Sequence, residues 1–483
     1  MQALFILLIP LILAILPAFV KSNKNNGIAN IAGYTLALGI AVVLASHPSE
    51  KLLFLNFFYI DALSMYFMLT VTVINLATAL YSTGYIQNDL DKKVISQKKA
   101  RLYYVLFNIF TFTMLLVTVL NNLGIVWVAI EMTTLTSAFL VGFYNDKKSV
   151  EAAWKYIIIC SVGLTLAFLG TILFYYTVSK DGGMTSLNWT DMVSVIQRLN
   201  PQVLKIAFLF IIVGYGTKAG LAPMHTWLPD AHSQALAPIS ALLSGVLLKI
   251  SFYAILRFSV IVNQSIGSQF TGRLFIIFGL ISLGISAGFI LLQKDIKRLL
   301  AYHSVEHIGI IAFGTGIGGE LGLFGALLHV FNHAATKALM FFSAGNIIKQ
   351  YDTHNMHLIK GVIKTMPFTG FFALTGAFAL GGLPPFSIFL SELIILIAGF
   401  TKGAVVASCI FLVFLATIFG ALIFHFSKTI FGPAPEGAIT EKVPLTTKIS
   451  FLLLFTLIVL LGIYIPQYFG TLITSAAAVL QGA

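Results

Sequence analysis

GYGTKAGLAPMHTWLPDAH, residues 214–232, sets a lysine, two histidines and an aspartate in a chain that is otherwise mostly apolar. It is flanked by VLKIAFLFIIV (203–213) and APISALLSGVLLKISFYAIL (237–256), so the polar stretch lies between two hydrophobic spans and partly within them. Lys218 stands where a leucine would enter a bilayer at far lower cost. Pro223 follows it, removing a helical hydrogen bond and clashing with the preceding turn. The stretch reads as a broken membrane helix that carries a charge.

The rest of the chain agrees with that reading. Of 483 residues, 58% are hydrophobic and only 10% charged, with a mean hydropathy of +0.95, whereas soluble domains carry about 25% charged residues. Apolar runs of about 20 residues, enough to span a ~30 Å hydrocarbon core, recur from end to end with short polar breaks. The expected fold is an all-α polytopic membrane protein of fourteen helices. They are placed at 2–20, 27–46, 55–84, 101–120, 123–143, 154–178, 203–220, 236–260, 273–293, 299–317, 320–349, 367–400, 403–426 and 447–478. The N-terminal MQALFILLIPLILAILPAFV lacks a basic leader and a small-residue cleavage site, so it is expected to remain as the first span. Cys160 and Cys409 both lie in apolar runs; two cysteines ligate no iron–sulfur cluster, and they read as small core residues.

An even number of spans places both termini on one side of the membrane. The odd-numbered connections hold 19 of the 29 basic residues, among them Lys92, Lys98, Lys147, Lys294 and Lys297, and the even-numbered ones hold seven, Arg257 among them. The asymmetry puts the odd connections in the cytoplasm and both termini outside. The net charge of +12 then belongs to loops facing an anionic leaflet, which removes the support for nucleic-acid binding.

The three remaining basic residues, Lys218, Lys249 and Lys337, fall inside spans, as do Glu131 and Glu392. Intramembrane charges cost roughly 2.5–3.5 kcal/mol each on insertion scales and mark ion pathways more often than packing. His329, His333 and Lys337 in HVFNHAATK are spaced i, i+4, i+8, forming one polar stripe about 12 Å long on a helix face. His303, Glu306 and His307 in AYHSVEHIGI add a second set, with the two histidines on one face. A metal site is disfavoured because Lys337 would repel a cation and no carboxylate or cysteine completes a set at a recognisable spacing. Burial disfavours the charged form of a lysine and a nearby carboxylate restores it, so Lys218 with an acid, Glu131 by preference, outlines a switchable proton carrier. GLAPMHTWLPDA (220–231) laid over GLPPFSIFLSEL (382–393) aligns Gly, Leu, Pro and a second Leu, and sets Asp230 opposite Glu392. The copies lie five helices apart, and repeats of an odd number of helices insert in opposite orientations, with ion sites where the backbone opens.

Glu131 with TKAGLAPMHTWLPDAH, KDIKRLLAYHSVEHIG, HVFNHAATKALMFFSAGN and GLPPFSIFLSE resembles the proton-translocating antiporter-like subunits of respiratory complex I, Mrp antiporters and energy-converting hydrogenases. The resemblance spans nearly the whole chain. It implies helices one to three over 1–100, a five-helix repeat over 101–260, an inverted repeat over 261–426, and a cytoplasmic loop with helix fourteen over 427–483. Helices seven and twelve are implied to be broken. It further implies a proton relay of Glu131, Lys218, Lys249, His329, His333, Lys337 and Glu392, joined in our reading by His303, Glu306 and His307. Asp61 matches the acidic start of helix three and is read as structural.

Glu306 departs from the serine common in complex I subunits, and SVEH is similar to component F of hydrogenase-4 type complexes among the group 4 nickel–iron hydrogenases. A glutamate at 392 is like the complex I subunit called M, so a complex I or Mrp setting stays open. The long lateral helix of the largest family members is not expected. With no nickel, cluster or quinone motif in the chain, the nickel–iron centre and iron–sulfur clusters are expected in partner subunits of a peripheral redox arm. A stand-alone solute carrier would need a roomy polar cavity, whereas these polar groups are spread singly over successive helices. A scaffold would tolerate their neutralisation. Sodium in place of protons remains open.

Overall fold

A computed structural model describes residues 2–48, 51–53, 56–434 and 441–482. Fourteen helical rods run through them. They are α1 (Gln2–Phe19), α2 (Asn23–Ser46), α3 (Ala62–Asp91), α4 (Gln97–Val119), α5 (Leu123–Val141), α6 (Lys147–Lys180) and α7, which is divided into Pro201–Ala219 and Trp227–Gln234. Next comes α8, running from Ala237–Leu242 through a wide turn, Leu243–Leu247, into Leu248–Ile266. α9 (Gln269–Leu291), α10 (Ile296–Ile317) and α11 (Gly319–Tyr351) follow. The last are α12, in halves Pro367–Leu380 and Ser387–Thr401, α13 (Val405–Ile430) and α14, in halves Leu445–Ile463 and Gln467–Gln481.

Short polar side chains start these helices. Ser22, Asp61, Ser96, Asn122, Asp146, Asn200 and Asp295 each accept a backbone N–H from the first turn that would otherwise lack a partner. Caps also explain where the expected boundaries fail. Of the 55–84 expected for helix three, residue 55 lies outside the described residues, and α3 starts at 62 because Asp61 caps it. A hairpin, β1 (Lys51–Leu53) paired antiparallel with β2 (Phe58–Ile60), occupies the segment before it. α6 begins seven residues before the expected 154 because Asp146 and Ser149 form a reciprocal cap. The expected single helix over 447–478 is two, divided before Pro466, which holds its neighbour Ile465 out of helical geometry.

Ten of the rods are long and apolar enough to cross a membrane on composition alone. α10 and α11, of 22 and 33 residues, are not among them, since their histidines, lysine and glutamate lower the hydropathy. Protein, and not lipid, surrounds these two rods through most of their length. The apolar stretches of α3 and α8 are wholly buried and form the axis of the bundle, whereas α13 is 28% buried and faces outward. α9 and α10 approach so closely that a Cβ on Gly279 would meet the Gly309 carbonyl at 2.8 Å.

Among the described residues, two basic residues that the sequence assigned to connections are buried. Arg257, expected in a connection, lies in α8 and forms a buried two-point pair with Asp61 at 2.6 and 2.7 Å. Its guanidinium also bonds Ser64 and Tyr253 and stacks over Trp189. Lys297 is only 3% exposed, within the first turn of α10. Asp61 is structural, as read: it caps α3 and fastens it to α8.

Candidate functional site

The break in α7 follows from its sequence. Gly220 adopts φ +83°, a conformation that a residue with a side chain rarely takes, and the peptide bond before Pro223 is cis. The freed backbone groups find partners: Trp227 Nε1 donates to the Thr217 carbonyl at 2.8 Å, and the Ala222 amide donates to Ser282 Oγ at 3.0 Å. α12 repeats the device, with Gly382 at φ +75° and a cis bond between Pro384 and Pro385. The overlay of 220–231 on 382–393 therefore matches in backbone as well as in letters.

Lys218 sits two residues before the first break, fully buried. Its ammonium donates to Thr134 Oγ1 at 2.9 Å and to the Tyr156 hydroxyl, and lies 4.4 Å from the Tyr156 ring centroid. Glu131 does not touch it. The carboxylate accepts from Ser161 Oγ at 2.9 Å and from Thr134 Oγ1 at 3.4 Å, so Thr134 stands between acid and base. This corrects the expected direct pairing. The reason is helical: Thr134 lies three residues after Glu131 on the same face of α5 and reaches the lysine first.

Lys249, 1% exposed, follows the wide turn of α8 and donates to the Ser244 carbonyl. Such turns widen the helix and open a carbonyl to a side chain. Ser244 Oγ in turn meets Ser304 of α10 at 2.7 Å. Beyond it lies a histidine cluster. His303 Nδ1 is 2.6 Å from Glu306 Oε2, His307 Nδ1 is 2.9 Å from His329 Nε2, and His329 Nδ1 is 2.9 Å from Ser391 Oγ. The rings of His307 and His333 stack at 4.3 Å. Lys337, on the same stripe of α11, donates to the Leu300 carbonyl. Buried Glu392 ends the line on α12, and Glu131, only partly buried, ends it on α5. Ser304 Oγ and Lys337 both donate to the Leu300 carbonyl, so Ser244 and Ser304 lead from Lys249 to the Lys337 stripe, whereas no hydrogen bond among the described residues joins Lys218 to Lys249.

Tertiary structure supplies the carboxylates that spacing did not. His303, Glu306 and His307, and separately His307, His329 and Glu392, each bring one ligand atom within 4.8 Å of the others. Two pairs of these donors are nonetheless engaged with each other, His303 Nδ1 with Glu306 and His307 Nδ1 with His329 Nε2. Two tetrahedral zinc ligands stand about 3.3 Å apart, and the 2.9 Å His307–His329 contact is a hydrogen bond that takes up a lone pair a metal would need.

A family described as NADH:quinone oxidoreductase/Mrp antiporter, TM matches residues 121–420, and one described as NADH-Ubiquinone oxidoreductase (complex I), chain 5 N-terminus matches 55–93. The chain belongs to this antiporter family. It is 38% identical to the hydrogenase-4 component F homolog of Methylacidiphilum infernorum, over 85% of this chain and 86% of that one. It is 31% identical to hydrogenase-4 component B of Escherichia coli, over 91% of this chain and 68% of that one. Among solved structures, a chain of the membrane-bound sulfane sulfur reductase, an archaeal respiratory membrane complex, superposes with a TM-score of 0.87 at 23% identity, covering 100% of this chain and 98% of that one. The protein is thus an antiporter-like polytopic membrane subunit of the hydrogenase-4, complex I and Mrp type.

In this antiporter-like subunit every residue expected at the site lies on one of five rods, α5, α7, α8, α11 and α12, with α10 as a sixth. Sequence reasoning missed the hydroxyls Thr134, Tyr156, Ser244, Ser304 and Ser391, since serine and threonine are common in membrane helices and only a neighbour reveals their role. It also missed Lys297, whose buried ammonium donates to the Ala235 carbonyl where α7 meets α8, and His232, buried against the Trp227 and Phe341 rings. A signal for Lys297 existed: it precedes Ser304 by seven residues, two turns along the inward face of α10.

Proposed function

We propose that this chain translocates protons within the membrane arm of a redox-driven ion pump, of the group 4 nickel–iron hydrogenase or formate hydrogenlyase type. It lies in the cell membrane with both termini outside the cytoplasm, beside other membrane-arm subunits and a peripheral arm that holds the nickel–iron and iron–sulfur centres. The observation that carries this reading is the file of titratable side chains that runs from part-buried Glu131 through the buried Lys218, Lys249 and α10–α11 histidines to Lys337 and Glu392. Buried charges are too costly to keep in such number for packing alone.

In this scheme a partner alters the charge felt by Glu131 at the rim. Thr134, with one hydrogen to share, couples that change to Lys218, which holds or releases its proton accordingly. Lys249 passes the change to the histidines and Lys337, and Glu392 hands it on at the opposite rim. Residues 101–260 and 261–426 act as the two inverted halves. Polar cavities at opposite ends of the bundle support an inlet and an outlet. One of about 120 Å³ lies by Tyr81, Asn346, Lys349 and Glu441 at the basic end, and one of about 320 Å³ by Asn263, Thr271 and Lys402 at the other.

The test is proton uptake by membrane vesicles containing the assembled complex, driven by the partner's redox reaction. Lys218→Met and Lys337→Met are expected to abolish uptake with assembly intact; full uptake in both would overturn the relay. Large and small hydrogenase genes beside this one would support the hydrogenase assignment, and a quinone-reducing set would replace it with complex I.

A further inference from the structure

The histidine cluster has a polarity that its hydrogen bonds determine. Ser391 Oγ donates its one hydrogen to the Ile388 carbonyl at 2.9 Å, the turn-back bond usual for a serine in a helix. The Ser387 carbonyl, 3.4 Å away, is a second backbone acceptor for the same hydrogen, and Asn332 Nδ2 approaches the oxygen at 3.4 Å while donating to the Ser387 carbonyl at 2.7 Å. With the serine hydrogen on a backbone carbonyl, His329 Nδ1, 2.9 Å away, is the donor to Ser391. In a neutral imidazole one nitrogen donates and the other accepts, so His329 Nε2 is a lone pair. That lone pair is 2.9 Å from His307 Nδ1, which then carries the hydrogen and leaves His307 Nε2 as a lone pair without a partner among the described residues. The chain of constraint runs from a serine on α12, through α11, to an open proton acceptor on α10.

We infer that Ser391 is a positioning residue: it fixes the tautomer of His329, and through it the direction in which the His307–His329 pair takes up a proton. A proton arriving at His307 Nε2 makes an imidazolium whose Nδ1 hydrogen points at a waiting lone pair. With His329 in the other tautomer, the two rings would present hydrogens to each other or His307 would face the cluster as a donor, and uptake from that side would stop. The inference rests on the relay reading above but concerns one residue that reading does not use. Sequence alone gives no sign of it, because Ser391 is visible only as the neighbour of Glu392.

Solid-state NMR of the full chain in lipid bilayers, with ¹⁵N-histidine, distinguishes the two tautomers, and His329→Gln assigns the His329 signals. We expect His329 protonated at Nδ1 in the wild type and in Ser391→Thr, which keeps the hydroxyl, and a mixed or Nε2-protonated ring in Ser391→Ala. Proton uptake by vesicles of the assembled complex should fall about tenfold in Ser391→Ala and recover in Ser391→Thr. An Nε2-protonated His329 in the wild type would overturn the inference even if Ser391→Ala fails to assemble. An unchanged tautomer or full uptake in an assembled Ser391→Ala would overturn it too. Should Lys218→Met and Lys337→Met both pump normally, it is the relay that fails, and the tautomer measurement still decides whether Ser391 positions the ring.

Discussion

Thr134→Val separates a direct Glu131–Lys218 pair from the bridged arrangement in the bundle. Valine keeps the shape of threonine and removes only the hydroxyl that accepts from Lys218 at 2.9 Å and donates to Glu131 at 3.4 Å. A hydrogen bond to a charged group contributes about 1.5–3 kcal/mol. The two bonds place ammonium and carboxylate within about 6 Å, where unit charges interact by about 2.8 kcal/mol at an effective dielectric near 20, a hundredfold bias on the lysine's proton. Thr134→Val should therefore slow redox-driven proton uptake by between about tenfold and a hundredfold, with Thr134→Ser close to wild type. Because acid and hydroxyl act on the lysine as one unit, Glu131→Gln combined with Thr134→Val should fall little below the worse single variant. The assay is fluorescence-quench uptake in vesicles, normalised to assembled complex. Full uptake in Thr134→Val, or losses that multiply in the double variant, would refute the bridge.

Four further outcomes are expected. Arg257→Met leaves the Asp61 carboxylate buried and unpaired, which should cost about 3–5 kcal/mol and lower the thermal midpoint of the purified chain. Burial alone would push the Asp61 carboxyl up, but the Arg257 guanidinium and the Ser64 bonds hold it below its ordinary value of 3.8. The pair's contribution is therefore complete above about pH 4 and is lost as the pH falls through the depressed value, so the wild-type midpoint should drop at acid pH while that of Asp61→Asn stays flat. Lys297→Met should reduce uptake at least tenfold without loss of assembly, because its buried ammonium lies at the junction of the two α7–α8 segments; normal uptake would return Lys297 to a packing role. A cysteine replacing Lys98 should react with a membrane-impermeant maleimide only from the cytoplasmic face, and labelling from outside would invert the proposed orientation.

Much of the membrane bundle was legible from the sequence, because lipid imposes a length and an apolar composition that any chain must show. The proposed site residues on α5, α7, α8, α11 and α12 stood out for the converse reason: a lysine or glutamate in such a run is costly, and i, i+4, i+8 spacing alone puts His329, His333 and Lys337 on one face. Partnership was not legible. Which hydrogen bond Lys218 makes depends on whether α5 presents Glu131 or Thr134 at the right height against α7, and that is decided by rod packing. Arg257 and Lys297 read as loop charges because the positive-inside count weighs residue type and position along the chain, whereas only the folded bundle turns each inward to Asp61 and to the Ala235 carbonyl. The carboxylates beside the histidines, and the serine that orients them, come from α10 and α12, brought to α11 across 85 residues of sequence between His307 and Glu392. Sequence thus determined that protonatable groups would be buried in this membrane protein, because their chemical identity is local; the tertiary structure decided which of them share a hydrogen, because that depends on distances between rods that no local pattern sets.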